Sequence, residues 1–128
     1  MKPKKLFSVS AVTTLLLVVA TSAFAQAITR IRDLPALKTG ITISGRVVGF
    51  GESDENEWIL NDGSGQVRVD AGPRRWRNIN LSEGETITVV GEMDDGEFDA
   101  FSITLSNGSI INIRSPQGPP PWAGKEGK

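Results

Sequence analysis

The sequence contains no cysteine, no histidine and no tyrosine among its 128 residues. The absence of cysteine excludes disulfides and thiolate metal ligands, and the absence of histidine removes the side chain that serves most often as a general base and a metal ligand. Catalysis would then need paired carboxylates or a serine and lysine unit, and no such pair stands at a meaningful spacing. The composition therefore predicts a protein that is not an enzyme, with no catalytic residues, no cofactor and no metal site.

The first 25 residues have the pattern of a secretory signal peptide. A basic segment at residues 2–5 precedes an apolar stretch at residues 6–20, and Ala23-Phe24-Ala25 fits a small-x-small cleavage site. Serine and threonine dilute the apolar stretch, whose unbroken core at residues 15–20 is far shorter than the ~20 residues that span a bilayer. We therefore expect cleavage after Ala25, a periplasmic or secreted protein, and no membrane anchor once the signal peptide is removed.

The mature protein that cleavage would leave has 103 residues, 25 fewer than the 128 of the full chain, enough for one small domain with a modest core. Loss of the three lysines near the start leaves 11 of 14 basic residues against all 15 acidic ones, a net charge of −4. Residues 41–114 hold six basic and 13 acidic residues, a net charge of −7. A groove for single-stranded nucleic acid needs a positive track, so this balance disfavours nucleic acid as a partner.

Alternation of apolar and polar residues predicts short strands through most of the mature chain. In residues 41–47 the apolar or glycine positions fall on one face and the polar positions on the other. The turn Asp62-Gly63-Ser64-Gly65 separates two more strands, and Asn107-Gly108 is the strongest short signal for a hairpin. The predicted strands are residues 41–47, 58–61, 66–70, 86–93 and 98–105, with an extra terminal strand at residues 110–113.

Five strands with an insert between the third and fourth predict an all-β fold, the five-stranded Greek-key OB barrel. The insert begins at Gly72-Pro73, which ends a strand and suits the first turn of a one-turn helix. An SH3-like barrel or a meander sandwich has a similar number of strands, but the position of the insert favours the OB barrel. The expected segments are a signal peptide at 1–25, a helix or turn at 26–40, the barrel at 41–114 and a disordered tail, rich in proline and glycine, at 115–128.

Five stretches carry a resemblance to a known family: residues 42–47, 58–65, 67–70, 75–76 and 89–92. They resemble the bacterial OB-fold (BOF) family of small exported proteins, the periplasmic stress-tolerance proteins of the YgiW/YdeI type. The similarity covers about residues 31–114, and its most specific part is the spacing from Asp62-x-Ser-Gly to Trp76. It implies a periplasmic OB barrel without known catalysis and a role in tolerance of peroxide, metals or cationic peptides. The tail differs from the enterobacterial members, so the resemblance implies no particular ligand.

Arginines and tryptophans are the candidate ligand-binding residues. Arginine pairs with phosphate through two hydrogen bonds, and an aromatic ring can stack on a base. Arg46 and Arg68 would form a small anion site if the outer faces of the first and third strands lay side by side. Alternatively, Trp76 closes the bottom of the barrel, its neighbouring arginines pair with acids, and Trp58 fills the core; we favour this interpretation. The candidates are Arg46, Trp58, Arg68, Arg74, Arg75, Trp76 and Arg77.

Two acidic segments, residues 52–57 and 94–99, support the opposite idea, the attraction of cations or cationic peptides. The carboxylates at 94–99 suit a hard cation but lack the register of an EF-hand loop, and polar turns explain both segments without metal. The tail at residues 119–122 is either a polyproline ligand for an aromatic groove or a disordered end whose Trp122 packs on the barrel.

These patterns together predict an exported, monomeric, non-enzymatic OB-fold binding protein of the cell envelope that contributes to stress tolerance. Its expected partner is a small ligand, a cationic peptide or an envelope protein. The alternative is a protein that binds single-stranded DNA through Arg46, Arg68 and the arginines at residues 74–77.

Overall fold

The computed structural model of the protein describes residues 27–36 and 40–125. The predicted signal peptide at 1–25 lies outside these residues, and none of the helices within them is long and apolar enough to cross a membrane. Six strands and two short 3₁₀ helices make up the regular structure of the described residues. In chain order they are the 3₁₀ helix Ile31–Ala36, β1 (Ile41–Phe50), β2 (Glu55–Asn61), β3 (Gln66–Pro73), β4 (Thr86–Asp94), β5 (Glu97–Thr104), β6 (Ile110–Asn112) and the 3₁₀ helix Ala123–Lys125.

The strands form one sheet in the order β3-β2-β1-β4-β5-β6, in which all sheet neighbours run antiparallel. An additional parallel pairing joins β3 to β5, with Val69 opposite Phe98 and Asp70 opposite Asp99. This pairing connects the first strand of the sheet to the fifth and closes β1–β5 into a barrel. The circular order β1-β2-β3-β5-β4 is that of the OB fold, so the predicted fold class is confirmed, with β6 as the extra terminal strand.

Alternating side chains fill the barrel interior. Trp58 and Leu60 of β2 and Val69 of β3 have 0% of their surface exposed. The register pairs Trp58 with Val69 and Leu60 with Val67, so these apolar side chains share the inner face of the hairpin. Trp58 is therefore a core residue and is not accessible to a ligand.

A buried asparagine holds the segment between β3 and β4. Asn56 has 0% of its surface exposed. Its amide nitrogen donates to the carbonyl oxygen of Arg77 at 2.7 Å, and its amide oxygen accepts from the backbone nitrogen of Ile79 at 3.1 Å. The predicted loop at 52–57 is thus partly strand, because β2 begins at Glu55. Pairing of Asn56 with two backbone groups fixes the segment that carries Trp76.

The predicted helical insert is a single hydrogen-bonded turn. The backbone nitrogens of Trp76 and Arg77 donate to the carbonyl oxygen of Pro73 at 3.1 and 3.4 Å. These bonds span three and four residues, which is one turn of a helix.

The turn between β2 and β3 anchors the N-terminal 3₁₀ helix. One carboxylate oxygen of Asp62 accepts from the backbone nitrogens of Ser64 and Gly65, and the other accepts from the backbone nitrogen of Ile31 at 2.9 Å. Burial alone would raise the pKa of Asp62, but hydrogen bonds from Ser64, Ile31 and Gly65 outweigh it and hold the pKa below its usual value. Ile31 and Leu34 are buried as their spacing predicts, whereas Ile28 is exposed. The side chain of Leu37, expected on the same face, lies outside the described residues.

We expect Asp62→Ala to lower the free energy of unfolding by about 1–2 kcal/mol, because it removes the hydrogen bonds that cap the turn and the 3₁₀ helix. The lowered pKa means that this stabilisation is present above pH 3.8, the ordinary value for aspartate, and is lost as the pH falls through the folded-state value. Urea unfolding at pH 7 and at pH 3 measures both effects.

Asn107→Ala is a matched control, because it removes a similar turn hydrogen bond, from the backbone nitrogen of Ser109, in the hairpin between β5 and β6. Hydrogen exchange should show faster exchange at residues 31–36 in Asp62→Ala only. Equal protection of those amides in both variants would contradict the proposed anchor.

The described part of the C-terminal tail lies against the barrel through Trp122, a contact that one of the two alternatives from the sequence includes. The indole of Trp122 packs on the ring of Trp76, with ring centroids 5.1 Å apart and planes at 59°. Gly72 has a φ of +90°, and a Cβ atom built there would meet three carbons of the Trp122 ring at 2.7–3.0 Å. Because Gly72 has no side chain, the ring of Trp122 can lie directly against its backbone. Composition alone could not indicate this contact.

Candidate functional site

The predicted arginine candidates do not form one anion-binding surface. Arg46 is exposed on β1, opposite Asn61 of β2. Arg68 lies on β3, with β2 between it and β1, and is paired with Ile59 rather than with Asn61. The two arginines are therefore not side by side, because β2 separates their strands and the register offsets them along the sheet.

Several arginine side chains bind groups of the protein itself. Arg68 forms an ion pair with Glu57 at 3.1 Å and a longer one with Glu97 at 3.7 Å. Arg74 donates to the side-chain oxygen of Asn78 and the carbonyl oxygen of Ile79.

The remaining predicted candidates lie on the turn that follows β3. Arg77 donates to the carbonyl oxygen of Asn112 at 2.8 Å and stacks over the ring of Trp76 at 4.8 Å. Trp76 is half-buried and Arg75 is exposed. This arrangement brings Trp76 and Arg77 together on the turn after β3, whereas Arg46 lies on β1.

Carboxylates dominate the outer face where the barrel closes. Outward positions alternate with the core positions on β2, β3 and β5, and the register places Glu57 opposite Asp70 and Asp70 opposite Asp99. The carboxylate oxygens of Asp70, Glu97 and Asp99 lie within 4.8 Å of one another, and so do those of Glu55, Glu57 and Asp70. Asp70 belongs to both sets and stands at their centre.

Burial, and then the proximity of these carboxylates to one another, raises the pKa values of several of them. Burial, and then repulsion from Asp70 and Asp94, raises the pKa of Asp99 to about 7, although Arg114 partly opposes this shift. Burial likewise raises the pKa of Asp70, and repulsion from Glu57 adds to the effect. Burial and neighbouring carboxylates also raise the pKa of Glu97. Raised carboxyl pKa values in a cleft mark a place where a bound cation would be favourable.

A cleft of about 320 Å³ opens at this end of the acidic surface. The barrel and the tail each provide one side of it, so the cleft lies between them. Its lining residues are Asp70, Gly72, Asp94, Asp99 and Arg114 from the barrel and Pro120 and Trp122 from the tail.

The arrangement is suited to holding positive charge. Each set of three carboxylates offers the oxygen ligands that hard divalent cations prefer. The cleft itself combines three carboxylates and one arginine, Arg114, with an indole, so its anions outnumber its cation. Carboxylates and an indole bind ammonium and guanidinium groups through ion pairs and cation–π contacts. The absence of a metal site remains a prediction, since the carboxylate sets are compatible with a cation.

Sequence reasoning identified the acidic segment 94–99 but missed Asp70 as its partner. Asp70 and Asp99 are 29 positions apart in the sequence, and they meet only through the parallel pairing of β3 with β5. The available signal was that both are acidic residues at outward positions of strands that close an OB barrel.

The match to a family model agrees with the fold. A family model described as "Bacterial OB fold (BOF) protein" matches residues 21–108. An uncharacterized protein of Haemophilus influenzae is 24% identical over 65 residues, which are 51% of this chain and 52% of that protein. The chain thus spans about half the length of this curated relative. The solved structure of the hypothetical protein ygiW from E. coli has 22% sequence identity and a TM-score of 0.49, and the match covers 62% of this chain and 90% of that one.

Proposed function

The chain belongs to the bacterial OB fold (BOF) protein family, and on this basis we propose that it is an exported, non-enzymatic binding protein of the cell envelope whose ligand is cationic. The ligand is a small cation or a cationic peptide, bound at the cleft between β3, β5 and the tail. A contribution to envelope stress tolerance is part of the proposal, and it rests on the resemblance of the sequence to the periplasmic stress-tolerance proteins.

The observation that carries this proposal is the cleft, in whose lining Asp70, Asp94 and Asp99 outnumber the one cation, Arg114. Asp70 and Asp99 lie directly opposite each other, and like charges at such positions destabilise a sheet. A cation between them would remove that repulsion and gain two ion pairs. The net charge of −7 over residues 41–114 would also draw cationic ligands toward the barrel over longer distances.

The same charges argue against the nucleic-acid alternative. Arg68, the basic residue of β3, is held by Glu57 and Glu97, and Asp70 lies two positions further along the strand. A phosphate approaching Arg68 would therefore meet at least three carboxylates. We expect no saturable binding of labelled oligo-dT to the mature protein, even at low salt.

Binding of a fluorescein-labelled hexalysine peptide to the full mature protein tests the proposal by fluorescence anisotropy. We expect saturable binding that weakens with salt, and a loss of about five-fold in affinity in Asp70→Asn, since one surface ion pair contributes ~1 kcal/mol. Asp70→Asn relieves repulsion, so loss of binding would not reflect unfolding. Glu83→Gln changes the net charge equally at an exposed position outside the cleft and is the matched control. Equal affinity in Asp70→Asn and Glu83→Gln, or no binding at low salt, would overturn the proposal.

The pH dependence of binding follows from Asp99. Because its pKa is raised to about 7, the carboxyl is neutral below this value and charged above it. We expect hexalysine, which stays charged throughout, to bind about five-fold more tightly at pH 8 than at pH 6, since one surface ion pair contributes ~1 kcal/mol. Asp70 of β3, Asp94 of β4 and Arg114 also face this carboxyl. Asp99→Asn should flatten the profile between pH 6 and 8, and an unchanged profile in that variant would assign the titration elsewhere.

A further inference from the structure

The C-terminal tail contributes one side of the cleft without filling it. Pro120 and Trp122 line the space opposite Asp70, Asp94 and Asp99, and the volume of about 320 Å³ remains between them. A single metal ion bound to carboxylates would leave most of this volume unused. The volume instead suits a side chain or a small organic molecule.

The position of Trp122 is fixed by several independent contacts. Its six-membered ring rests on the backbone of Gly72, where any side chain would overlap it. Its ring also packs on Trp76, whose ring is covered by the guanidinium of Arg77. Immediately before the tail, Arg114 donates to the carbonyl oxygen of Gly118 at 3.5 Å and lies over the ring of Phe101 at 5.8 Å. Contacts at both ends of residues 114–122 thus hold the tail along the cleft.

We propose that the tail is a working part of the binding site, and that Trp122 forms an aromatic wall for an organic cation with an ammonium or guanidinium group. This inference rests on the proposed function and specifies the ligand class. An indole is the aromatic side chain that attracts cations most strongly. The carboxylates of the barrel then pair with the charged group, while Trp122 and Pro120 contact the carbon atoms next to it. A lysine or arginine side chain of a peptide meets both requirements.

Arginine amide and its neutral analogue citrulline amide are the probes that test this inference. They have nearly the same shape, so the difference in their affinities isolates the charge. Isothermal titration of the full mature protein should show binding of arginine amide and much weaker binding of citrulline amide.

The test variants are Trp122→Ala, Trp122→Leu and Trp122→Phe. We expect Trp122→Ala and Trp122→Leu to lose about 3- to 10-fold in affinity for arginine amide, and Trp122→Phe to keep most of it, because an aromatic face is retained. Leucine keeps apolar contact but has no aromatic face, so it separates cation–π attraction from packing. Thermal unfolding checks that each barrel stays folded. Trp122 is only partly buried, so the core should tolerate all three changes.

Each outcome decides a different question. If the wild type binds neither arginine amide nor hexalysine, the proposed function is overturned and this inference with it. If it binds hexalysine but not arginine amide, only this inference is overturned. Equal binding by the wild type and Trp122→Ala would overturn only the role of the tail. Tight binding of Ca²⁺ that blocks arginine amide, with the same Ca²⁺ affinity in Trp122→Ala, would show a metal site and overturn the assignment of the ligand as an organic cation.

Discussion

Replacement of Trp58 by alanine lowers the free energy of unfolding by about 3–5 kcal/mol, the range for removal of a large buried aromatic side chain. Trp58 is the largest fully buried side chain of the described residues, with 0% of its surface exposed. It packs against Val69 across the β2–β3 hairpin, next to the pairing of β3 with β5. A domain of this size is stable by only about 5–15 kcal/mol, so the variant should be close to unfolding at 37 °C. Urea unfolding followed by circular dichroism measures the change.

Trp58→Phe is the matched control for this prediction. The indole nitrogen of Trp58 is buried and has no hydrogen-bond partner among the described residues. Phenylalanine therefore loses no hydrogen bond and only part of the volume, and we expect a loss of about 1–2 kcal/mol. A loss below about 1 kcal/mol in Trp58→Ala would show that the indole does not support the core.

Asn56→Ala lowers the free energy of unfolding by about 2–4 kcal/mol, since it leaves a part-buried carbonyl oxygen and a buried backbone nitrogen without their partner. The groups affected are the carbonyl oxygen of Arg77 and the backbone nitrogen of Ile79. Loss of these two hydrogen bonds should also loosen the turn that contains Trp76, and with it the packing of Trp122 on Trp76. Denaturant unfolding gives the stability, and hydrogen exchange at residues 76–80 gives the local effect.

Asn78→Ala tests the specificity of the Asn56 effect. Asn78 is exposed, and its side-chain oxygen accepts a hydrogen bond from Arg74 on the same segment. We expect a loss of less than about 0.5 kcal/mol, as is usual for an exposed position. Similar losses in Asn56→Ala and Asn78→Ala would mean that the segment is held by something other than the buried amide.

Local patterns were sufficient to predict the fold because β1, β3, β4 and β5 alternate between buried and more exposed positions over much of their length. The alternation at 41–47 and 66–70 and the turns at Asp62-Gly63 and Asn107-Gly108 depend on neighbours in the sequence, and the structure has strands and turns at these places. The buried Asn56 was missed because an asparagine beside three acidic residues has the composition of a loop. Its burial depends on a contact 21 residues away, which no local pattern contains.

The candidate site was harder to predict than the fold, for a physical reason. Asp70 and Asp99 come together through a pairing that closes the barrel, and Trp122 reaches Gly72 from 50 positions along the chain. The arginines at 74–77 were predicted to bind a ligand because they are charged and lie beside Trp76 in the sequence. The structure gives several of them partners within the protein, and leaves the carboxylates as the larger unneutralised group.

The parallel pairing of β3 with β5 is the contact that closes the barrel. This closing contact consists of two residue pairs, and one of them places the carboxylates of Asp70 and Asp99 opposite each other. Because folding raises the pKa of Asp99, ionisation of this carboxyl destabilises the folded state. The protonated carboxyl therefore contributes stability that is fully present below the ordinary aspartate pKa and is lost as the pH rises through about 7. If the cleft binds a cation, as we propose, the cation would lie between these carboxylates and offset that loss, because a ligand that binds only the folded state stabilises it. The proposed function therefore couples ligand binding to the stability of the contact that closes the barrel, and the ligand-bound protein is expected to be the more stable form above pH 7.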